Sequence, residues 1–453
     1  MHPALLAIRS AIHDTAYHGA VWLVGGAVRD ELLGKTSATD FDLVLESDAN
    51  AFAAFLFEKG VASRPPEVFT RFGTAMVLVE DTQIEIVTAR RESYREDSRK
   101  PDVEPATLKE DALRRDFTCN AILKNLTSQE FWDPLGIGMS DIRQRVLRTP
   151  LEPAATFSDD PLRMLRAIRF RWRLGFTPAA GLYAAIRSQA SRLTIISEER
   201  IRDEFCKIIQ GPSAPEAIQD LLDLGLLAYF APELPELVGV EQGHFHHLDA
   251  WGHTLAVLRN VKSDDLTLRL AALWHDVGKA STRTIDQNGR TRFFGHEVLG
   301  EQMVREWMNH MRFPGDITDD VALIIRNHMR FGRMQGFTES SARRVIRDLG
   351  EVLPTFLDLV EADSKGLKAA APRIPIAEIR EVIDRVKTAT PKETLESPLS
   401  GIQIMEITGW PAGPMVGRAK LHLLDLVLEG RLAPGDRDGA EKALLEYMRN
   451  LPG

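Results

Sequence analysis

The sequence predicts an α+β protein: a first third of short strands and helices, followed by a largely helical remainder. Three observations predict this. Short apolar runs at 21–24, 43–45, 75–80 and 83–88 are separated by glycine or charged turns, which is a strand pattern. Later stretches such as 159–173, 196–209 and 402–429 carry apolar residues at helical spacing. At 453 residues the chain exceeds what one core serves, so several domains are expected. Four segments are read: 1–149, 150–240, 241–367 and 368–453.

Composition excludes several classes. Hydrophobic residues are 44% and charged residues 27%, as in ordinary globular proteins. No apolar run approaches the roughly twenty residues that span a bilayer, so no membrane partner is expected. Cys119 and Cys206 lie far apart without ligand spacing, which excludes a disulfide scaffold and fits a reducing cytoplasm. The net charge of −9 argues against a bulk nucleic-acid coat, but local charge decides RNA binding. The opening MHPALLAIRSAIHDTAYHG reads as an amphipathic helix carrying Asp14, not as a secretion signal.

The stretch Val21 to Leu45, VWLVGGAVRDELLGKTSATDFDLVL, reads as strand, glycine turn, helix, loop and strand. At Gly25-Gly26 the backbone turns and approaches a ligand without a Cβ in the way. Ala27 to Leu33 forms a helical turn or two, stopped at Gly34. Asp40 and Asp42 flank Phe41, and alternation along a strand points both the same way. Two carboxylates facing together repel, and a divalent cation between them relieves the repulsion. Mg²⁺ takes a few carboxylates plus substrate phosphates, and paired metals clamp an in-line phosphoryl displacement. Taken alone, GG or DxD signifies only a turn in an α/β domain and a solvated strand edge. The ordered set GGxxRD, then DxD between apolar runs, is far more specific. It resembles the signature of the nucleotidyltransferase superfamily that includes DNA polymerase β. In the form LVGGAVRDELLG…DFDLV it is most similar to bacterial tRNA nucleotidyltransferases (CCA-adding enzymes) and their relatives, the bacterial poly(A) polymerases. The resemblance implies a polymerase-β-like head, built on a mixed sheet with helices and followed by an all-α neck, body and tail; in that head Asp40 and Asp42 are catalytic Mg²⁺ ligands and Gly26 and Arg29 contact phosphate.

Residues 49–60 read as a helix ended by Gly60, and 75–80 and 83–88 as strands joined at Asp81-Thr82. Glu85 lies between Ile84 and Ile86; it either joins Asp40 and Asp42 as a third carboxylate or faces solvent. Residues 90–111 are charged, contain two prolines and read as a mobile loop. The resemblance places such a loop in members that add a terminal A. ALRRDFTCNAILKNL (112–126) reads as a helix with Arg115, Asp116 and Asn120 near one face, suited to a ribose and a triphosphate. RRDFTCNA is similar to the family's RRDFTxNA motif, which contacts the nucleotide sugar. Asp133-Pro134 and 136–149 resemble the family's linker between head and neck.

In the neck, Asp160, Arg163, Arg166 and Arg169 are spaced by three, and 163–173 holds five arginines in eleven residues. On a helix they form one drifting stripe, with Met164, Leu165 and Ile168 on another face. Asp accepts hydrogen bonds and Arg donates them in a fixed fork. Cytosine and adenine each present an exocyclic amine beside a ring-nitrogen acceptor, so an Asp–Arg pair satisfies both; guanine and uracil present the reverse. Salt bridges on a surface helix are the plain alternative. Arg166 and Arg169 either bind the triphosphate or stabilise the helix. DDPLR resembles the family's E-D-x-x-R motif, in which the Asp and Arg select CTP and then ATP. The departure is Asp159, where the family usually has a Glu that orients the arginine. ISEERIRDEFCKII (196–209), with Ser197 as N-cap, resembles a further motif and reads as a capped structural helix.

From His244 to His328 histidines recur: His253, His275-Asp276, His296 and His328, followed by Asp363. His253, His275, Asp276 and Asp363 can converge on a divalent metal that activates water for phosphoester hydrolysis. The order resembles the HD phosphohydrolase superfamily, which implies Mg, Mn, Ni or Co in this module; a degenerate module kept for tRNA contact is the alternative. The tail (368–453) reads as small helices that grip tRNA or support the body.

Taken together, the motifs imply a cytoplasmic, Mg²⁺-dependent enzyme, monomer or homodimer, that adds C, C and A to the 3′ end of tRNA from CTP and ATP. An A-adding or CC-adding specialist shares nearly all of them. A poly(A) polymerase, whose relatives generally lack the HD module, or a chain that is mainly an HD phosphohydrolase, fits less well.

Overall fold

The computed structural model describes residues 1–35, 40–70, 73–95, 98–242, 248–332, 336–368, 371, 373–389 and 395–451, with side chains of 92–103 left aside. His244, where the histidine-rich stretch begins, lies outside the described residues. The chain forms two compact units, Met1–Pro232 and Glu233–Gly453.

The first unit begins with α1 (Pro3–Ala11), β1 (Trp22–Val24), α2 (Gly26–Leu32), β2 (Phe41–Leu45) and α3 (Ala49–Glu58). β3 (Glu67–Phe69), β4 (Thr74–Val79) and β5 (Thr82–Thr88) follow. Glu80 and Asp81 both take positive φ, the turn that suits the twist of a two-residue hairpin. With β8 (Leu123–Asn125) and β9 (Phe131–Trp132) these strands make a seven-stranded sheet in the order β3-β4-β5-β2-β1-β8-β9. β2 pairs antiparallel with β1 and parallel with β5, so the mixed sheet expected from the sequence is present. Val24, Val44, Val87, Ala89, Leu108 and Leu123 form a buried cluster on this sheet, and α3 packs on β4 and β5 through buried Phe52, Ala53 and Leu56.

Two local expectations are corrected. Residues 90–111 are not a loop: β6 (Arg90–Arg95) and β7 (Ser98–Pro105) pair as an antiparallel ribbon, and α4 (Leu108–Leu113) follows behind a Thr107–Glu110 capping box. A ribbon satisfies its backbone groups without an apolar core, so its polar composition hid it. Residues 112–126 are not one helix. α4 stops at Leu113, Phe117 is extended at φ −138°, Thr118–Asn120 make a short 3₁₀ turn, and β8 begins at Leu123. The break is chemical: the Phe117 N–H donates to the Asp116 side chain, and the Thr118 N–H donates to the Arg148 carbonyl.

α5 (Gly138–Gln144) carries Asp141, which accepts from Thr118 Oγ1 at 2.7 Å and pairs with Arg148 at 3.1 Å. Asp133 caps the turn before it by accepting from the Leu135, Gly136 and Met139 N–H groups. α6 (Pro153–Asp159), α7 (Leu162–Leu174), α8 (Leu182–Gln189), α9 (Glu198–Ile209) and α10 (Ala214–Asp223) complete the unit. α7 ends at Gly175, in the left-handed conformation that closes helices. Met164, Leu165 and Ile168 are buried, as expected.

The second unit is helical: α11 (Ala250–Asn260), α12 (Leu266–Trp274), α13 (Lys279–Thr282), α14 (His296–His310), α15 (Gly315–Asn327), α16 (Glu339–Leu349) and α17 (Leu353–Gly366). The tail adds α18 (Ile376–Ala389), α19 (Gly401–Thr408), α20 (Pro414–Leu428) and α21 (Arg437–Arg449), with α16 packed against α18 and α20. Among the described residues no helix is long and apolar enough to cross a membrane.

Candidate active site and metal centre

The first site is built by strand register. Asp42 stands opposite Val24 on β1 and beside Glu85 on β5. Residues paired across adjacent strands share a face, so Glu85 joins Asp42, and the open question about its direction is answered by the parallel pairing. Asp40 lies just ahead of β2 and is exposed. Gly25, at φ +79°, caps α2, and a Cβ there would sit 2.9 Å from Asp42 Oδ2. Only glycine lets this turn close on the carboxylate. Burial pushes the Asp42 carboxyl up to about 6, with the charges of Glu85 and Asp40 adding to it and Arg115 opposing. A half-buried carboxylate held among like charges is what a bound cation would relieve, so these residues fit a divalent metal.

The residues of the RRDFTCNA stretch come together although they share no helix. Arg115 and Arg114 both pair with buried Asp111, at 3.0 and 2.6 Å. Asn120 Nδ2 donates to Asp116 Oδ1 at 2.9 Å, and Arg166 donates to Asp116 Oδ2 from Nε and Nη2 at 2.9 and 2.5 Å. Burial raises the Asp116 carboxyl, but Arg166 and Asn120 outweigh it and hold it down at about 2. Arg29 is 4% exposed, and its Nη1 donates to Asn120 Oδ1 at 2.7 Å.

On α7 the arginines part ways. Arg163 is buried and donates from Nη2 to the Arg114 carbonyl at 2.6 Å. Arg169 is buried against Glu204 of α9. Arg171 and Trp172 Nε1 meet Asp220 of α10 at 2.5 and 2.6 Å. Asp160 precedes α7, accepts from the Leu162 N–H at 3.2 Å, and pairs with Arg200 at 2.8 Å. The expected stripe is therefore divided: Arg166 faces the head, Arg169 faces the neck interior, and Asp160 stands off the helix.

In the second unit, His253 (α11), His275 and Asp276 (after α12), His296 (start of α14), His328 (end of α15) and Asp363 (α17) converge. Two groups form, His253–His275–Asp363 and Asp276–His296–His328, each with ligand atoms within 4.8 Å of one another. Asp276 faces both: Oδ2 lies 3.1 Å from His275 Nε2 and 3.8 Å from His253 Nε2, while Oδ1 lies 3.5 Å from His296 Nε2 and 3.7 Å from His328 Nε2. The Nδ1 atoms of His275, His296 and His328 lie 2.7–2.9 Å from backbone carbonyls. That partner sets the proton on Nδ1 and leaves Nε2 as the lone-pair face. His275 Nε2 is buried, with the Asp276 carboxylate as its near neighbour. Burial lowers His296 to about 4, which keeps its ring neutral. Burial raises Asp276, but His275 and Lys279 outweigh it and hold the carboxyl well below its usual range. These donors fit divalent metal, and His296 and His328 extend the four-residue set expected from sequence.

Residues 21–148 match the Poly A polymerase head domain, 175–237 the probable RNA and SrmB-binding site of polymerase A, and 245–389 the HD domain. The chain is 33% identical over 444 residues to the A-adding tRNA nucleotidyltransferase of Deinococcus radiodurans, covering 95% of this chain and 96% of that one. The chain belongs to the bacterial tRNA nucleotidyltransferase (CCA-adding enzyme) family. It is 33% identical over 445 residues to the CC-adding tRNA nucleotidyltransferase of Thermus thermophilus, covering 94% and 93% of the two chains. The crystal structure of the Bacillus stearothermophilus CCA-adding enzyme in complex with CTP matches with a TM-score of 0.74 at 25% identity, over 99% of this chain and 98% of that one. The protein is thus a tRNA nucleotidyltransferase with an HD domain, and its relatives include both A-adding and CC-adding enzymes.

Asp42 generates a pH prediction for the metal-free protein. Its folded-state carboxyl, at about 6, lies above an unfolded aspartate near 3.9. The folded state therefore binds the proton more tightly, and this group's contribution to stability falls as pH rises from about 4 to about 6. Asp42→Asn should raise the Tm of the metal-free protein by roughly 2–6 °C near pH 7.5 and little near pH 4. It should also reduce the rise in Tm that Mg²⁺ produces. A thermal-melt series in EDTA and in Mg²⁺ checks both; a variant that melts below the parent near pH 7.5 in EDTA contradicts the charge argument.

Proposed function

We propose that the enzyme adds C, C and A in turn to the 3′ end of tRNA from CTP and ATP, releasing pyrophosphate. The observation that carries the reading is the register bringing Asp42 beside Glu85 and under the Gly25 turn, with Asp40 just ahead of the strand. In each cycle the tRNA 3′-oxygen attacks the α-phosphorus of the nucleotide. The bond from that phosphorus to the β-phosphate oxygen breaks, pyrophosphate leaves, and the hydroxyl proton passes to solvent. Asp40 and Asp42 would hold Mg²⁺, which when bound lowers the pKa of the 3′-hydroxyl and neutralises charge on the triphosphate. The α2 N-terminus at Gly26 offers backbone N–H groups to phosphate, and the Arg115 guanidinium adds positive charge near Asp42. Asp116 and Asn120 face the ribose, and Asp160 with Arg163 selects the base by accepting from the exocyclic amine and donating to the ring nitrogen. The charged 90–111 segment favours terminal adenosine addition, because the resemblance places such a segment in members that add a terminal A.

An A-adding specialist is the second reading, favoured by the 33% identity to an A-adding enzyme over nearly the whole chain. One assay separates them. Purified protein is given tRNA lacking CCA, or ending in C or CC, with labelled CTP or ATP and Mg²⁺. Incorporation of C on the first two and A on the third supports CCA addition; A incorporation alone, on tRNA ending in CC, assigns the A-adding reading. Asp40→Ala and Asp42→Ala should each lower incorporation by about a thousandfold or more. Retained activity in both variants would overturn the assignment of the carboxylates.

For the second unit we propose a divalent-metal site that hydrolyses phosphoesters, with Asp276 between two cation positions. His275→Ala with Asp276→Ala should remove bound Mn²⁺ or Ni²⁺, measured by elemental analysis, and hydrolysis of a chromogenic phosphodiester, while nucleotide addition persists. Unchanged metal content would overturn this site.

A further inference from the structure

Arg29 belongs to the glycine-turn motif and was expected to touch phosphate, but the structure engages its guanidinium elsewhere. Its Nε donates to Asp30 Oδ1 at 2.8 Å and its Nη1 to Asn120 Oδ1 at 2.7 Å. Asn120 passes the chain to Asp116, and Asp116 to Arg166 on α7. Phe170, also on α7, lies under both guanidiniums, 5.1 Å from Arg29 and 5.4 Å from Arg166, and stacks edge-on against Phe117. An unbroken polar chain thus runs from α2, through the 114–120 turn, to α7. Each end carries a working part. The N-terminal end of α2 is Gly25, closed on Asp42. One turn before Arg166 on α7 is Arg163, which is tied separately to the Arg114 carbonyl of the same turn.

We propose that Arg29 is a positioning residue for nucleotide selection: through Asn120 and Asp116 it fixes Arg166, and so the rotation of α7, relative to the Asp40–Asp42 carboxylates. This deepens, and rests on, the nucleotidyl-transfer reading above. The residue type follows from geometry. One edge of the planar fork meets Asp30 while the other meets Asn120, which a lysine's single ammonium does not reproduce. Without that grip the Asn120 amide is free to turn. Asp116 then loses an N–H donor, and its pair with Arg166 no longer has one geometry. A loosened α7 presents Arg163 at variable angles, and the discrimination between an amine-bearing base edge and its reverse weakens.

The test compares the parent enzyme, Arg29→Lys, Arg166→Lys and the double variant, the two single changes breaking the chain at its opposite ends. Each is assayed on its preferred nucleotide and on the reversed-edge competitor (CTP against UTP, ATP against GTP), with the KM for tRNA and the Tm recorded. Each single variant is expected to lower discrimination by about tenfold at unchanged KM for tRNA, the scale of one hydrogen bond to a charged group. The double variant should lose no more than the worse single one, because both break one chain. Equal loss of kcat for correct and incorrect nucleotides would overturn the proposal, as would losses that multiply in the double variant. Should Arg29→Lys fail to fold, Arg166→Lys decides alone by the same discrimination readout. A parent enzyme that incorporates neither C nor A overturns the nucleotidyl-transfer reading itself, which separates the two failures.

Discussion

The Asp116 carboxylate is the joint of the first unit. It is buried, it accepts from Asn120 on one oxygen, and it receives the two-pronged guanidinium of Arg166 on the other. Two N–H groups of the planar guanidinium converge on that one oxygen, which holds the Arg166 fork against Asp116. Asp116 belongs to the turn that follows α4, and Arg166 to α7. The pair therefore ties α7, which carries Arg163, to the turn that leads into the sheet carrying Asp42 and Glu85. Because Asp116 stays ionised far below neutral pH, the joint holds its charge across the working range.

The other charges on α7 complete the same design. Arg169 meets Glu204 of α9, and Arg171 meets Asp220 of α10, which also takes Trp172 Nε1. Three carboxylates from three elements thus pin one helix, and the dense arginine run is mainly consumed in holding α7. Buried ion pairs of this kind favour one arrangement more than they add stability, because desolvating both partners offsets much of their attraction. What they supply here is a single orientation for Arg163 and its neighbours. The HD site follows a similar logic: backbone carbonyls fix three histidine tautomers, and the metal-facing nitrogens gather on Asp276.

Much of this was legible in the residues, and the rest was hidden for identifiable reasons. The glycine turn, the DxD pair and the strands around them are local patterns, and each formed where periodicity placed it. The helix expected over 112–126 failed because the Asp116 side chain and the Arg148 carbonyl capture backbone N–H groups that a helix would need, and one of those partners is distant in sequence. The ribbon at 90–105 was hidden because two strands that pair with each other need no apolar alternation. The direction of Glu85 depended on the parallel register of β5 against β2, which no local signal encodes. Arg29 read as a phosphate contact because its motif adjoins the Gly25–Gly26 turn, and only the packing of α2 on the 118–120 turn revealed its partner. His296 and His328 stood in the histidine series, but their convergence on Asp276 required the ends of α14 and α15 to meet.

The central claim is that Asp40 and Asp42 form the cation site at which the nucleotide triphosphate is bound, and it is tested most directly by crystals grown with CTP and Mn²⁺. The account predicts an anomalous peak at bonding distance from both carboxylates and from triphosphate oxygens, with the triphosphate beside the Gly25–Gly26 turn. A well-defined nucleotide with no peak at Asp40 and Asp42, or one bound away from that turn, would contradict it.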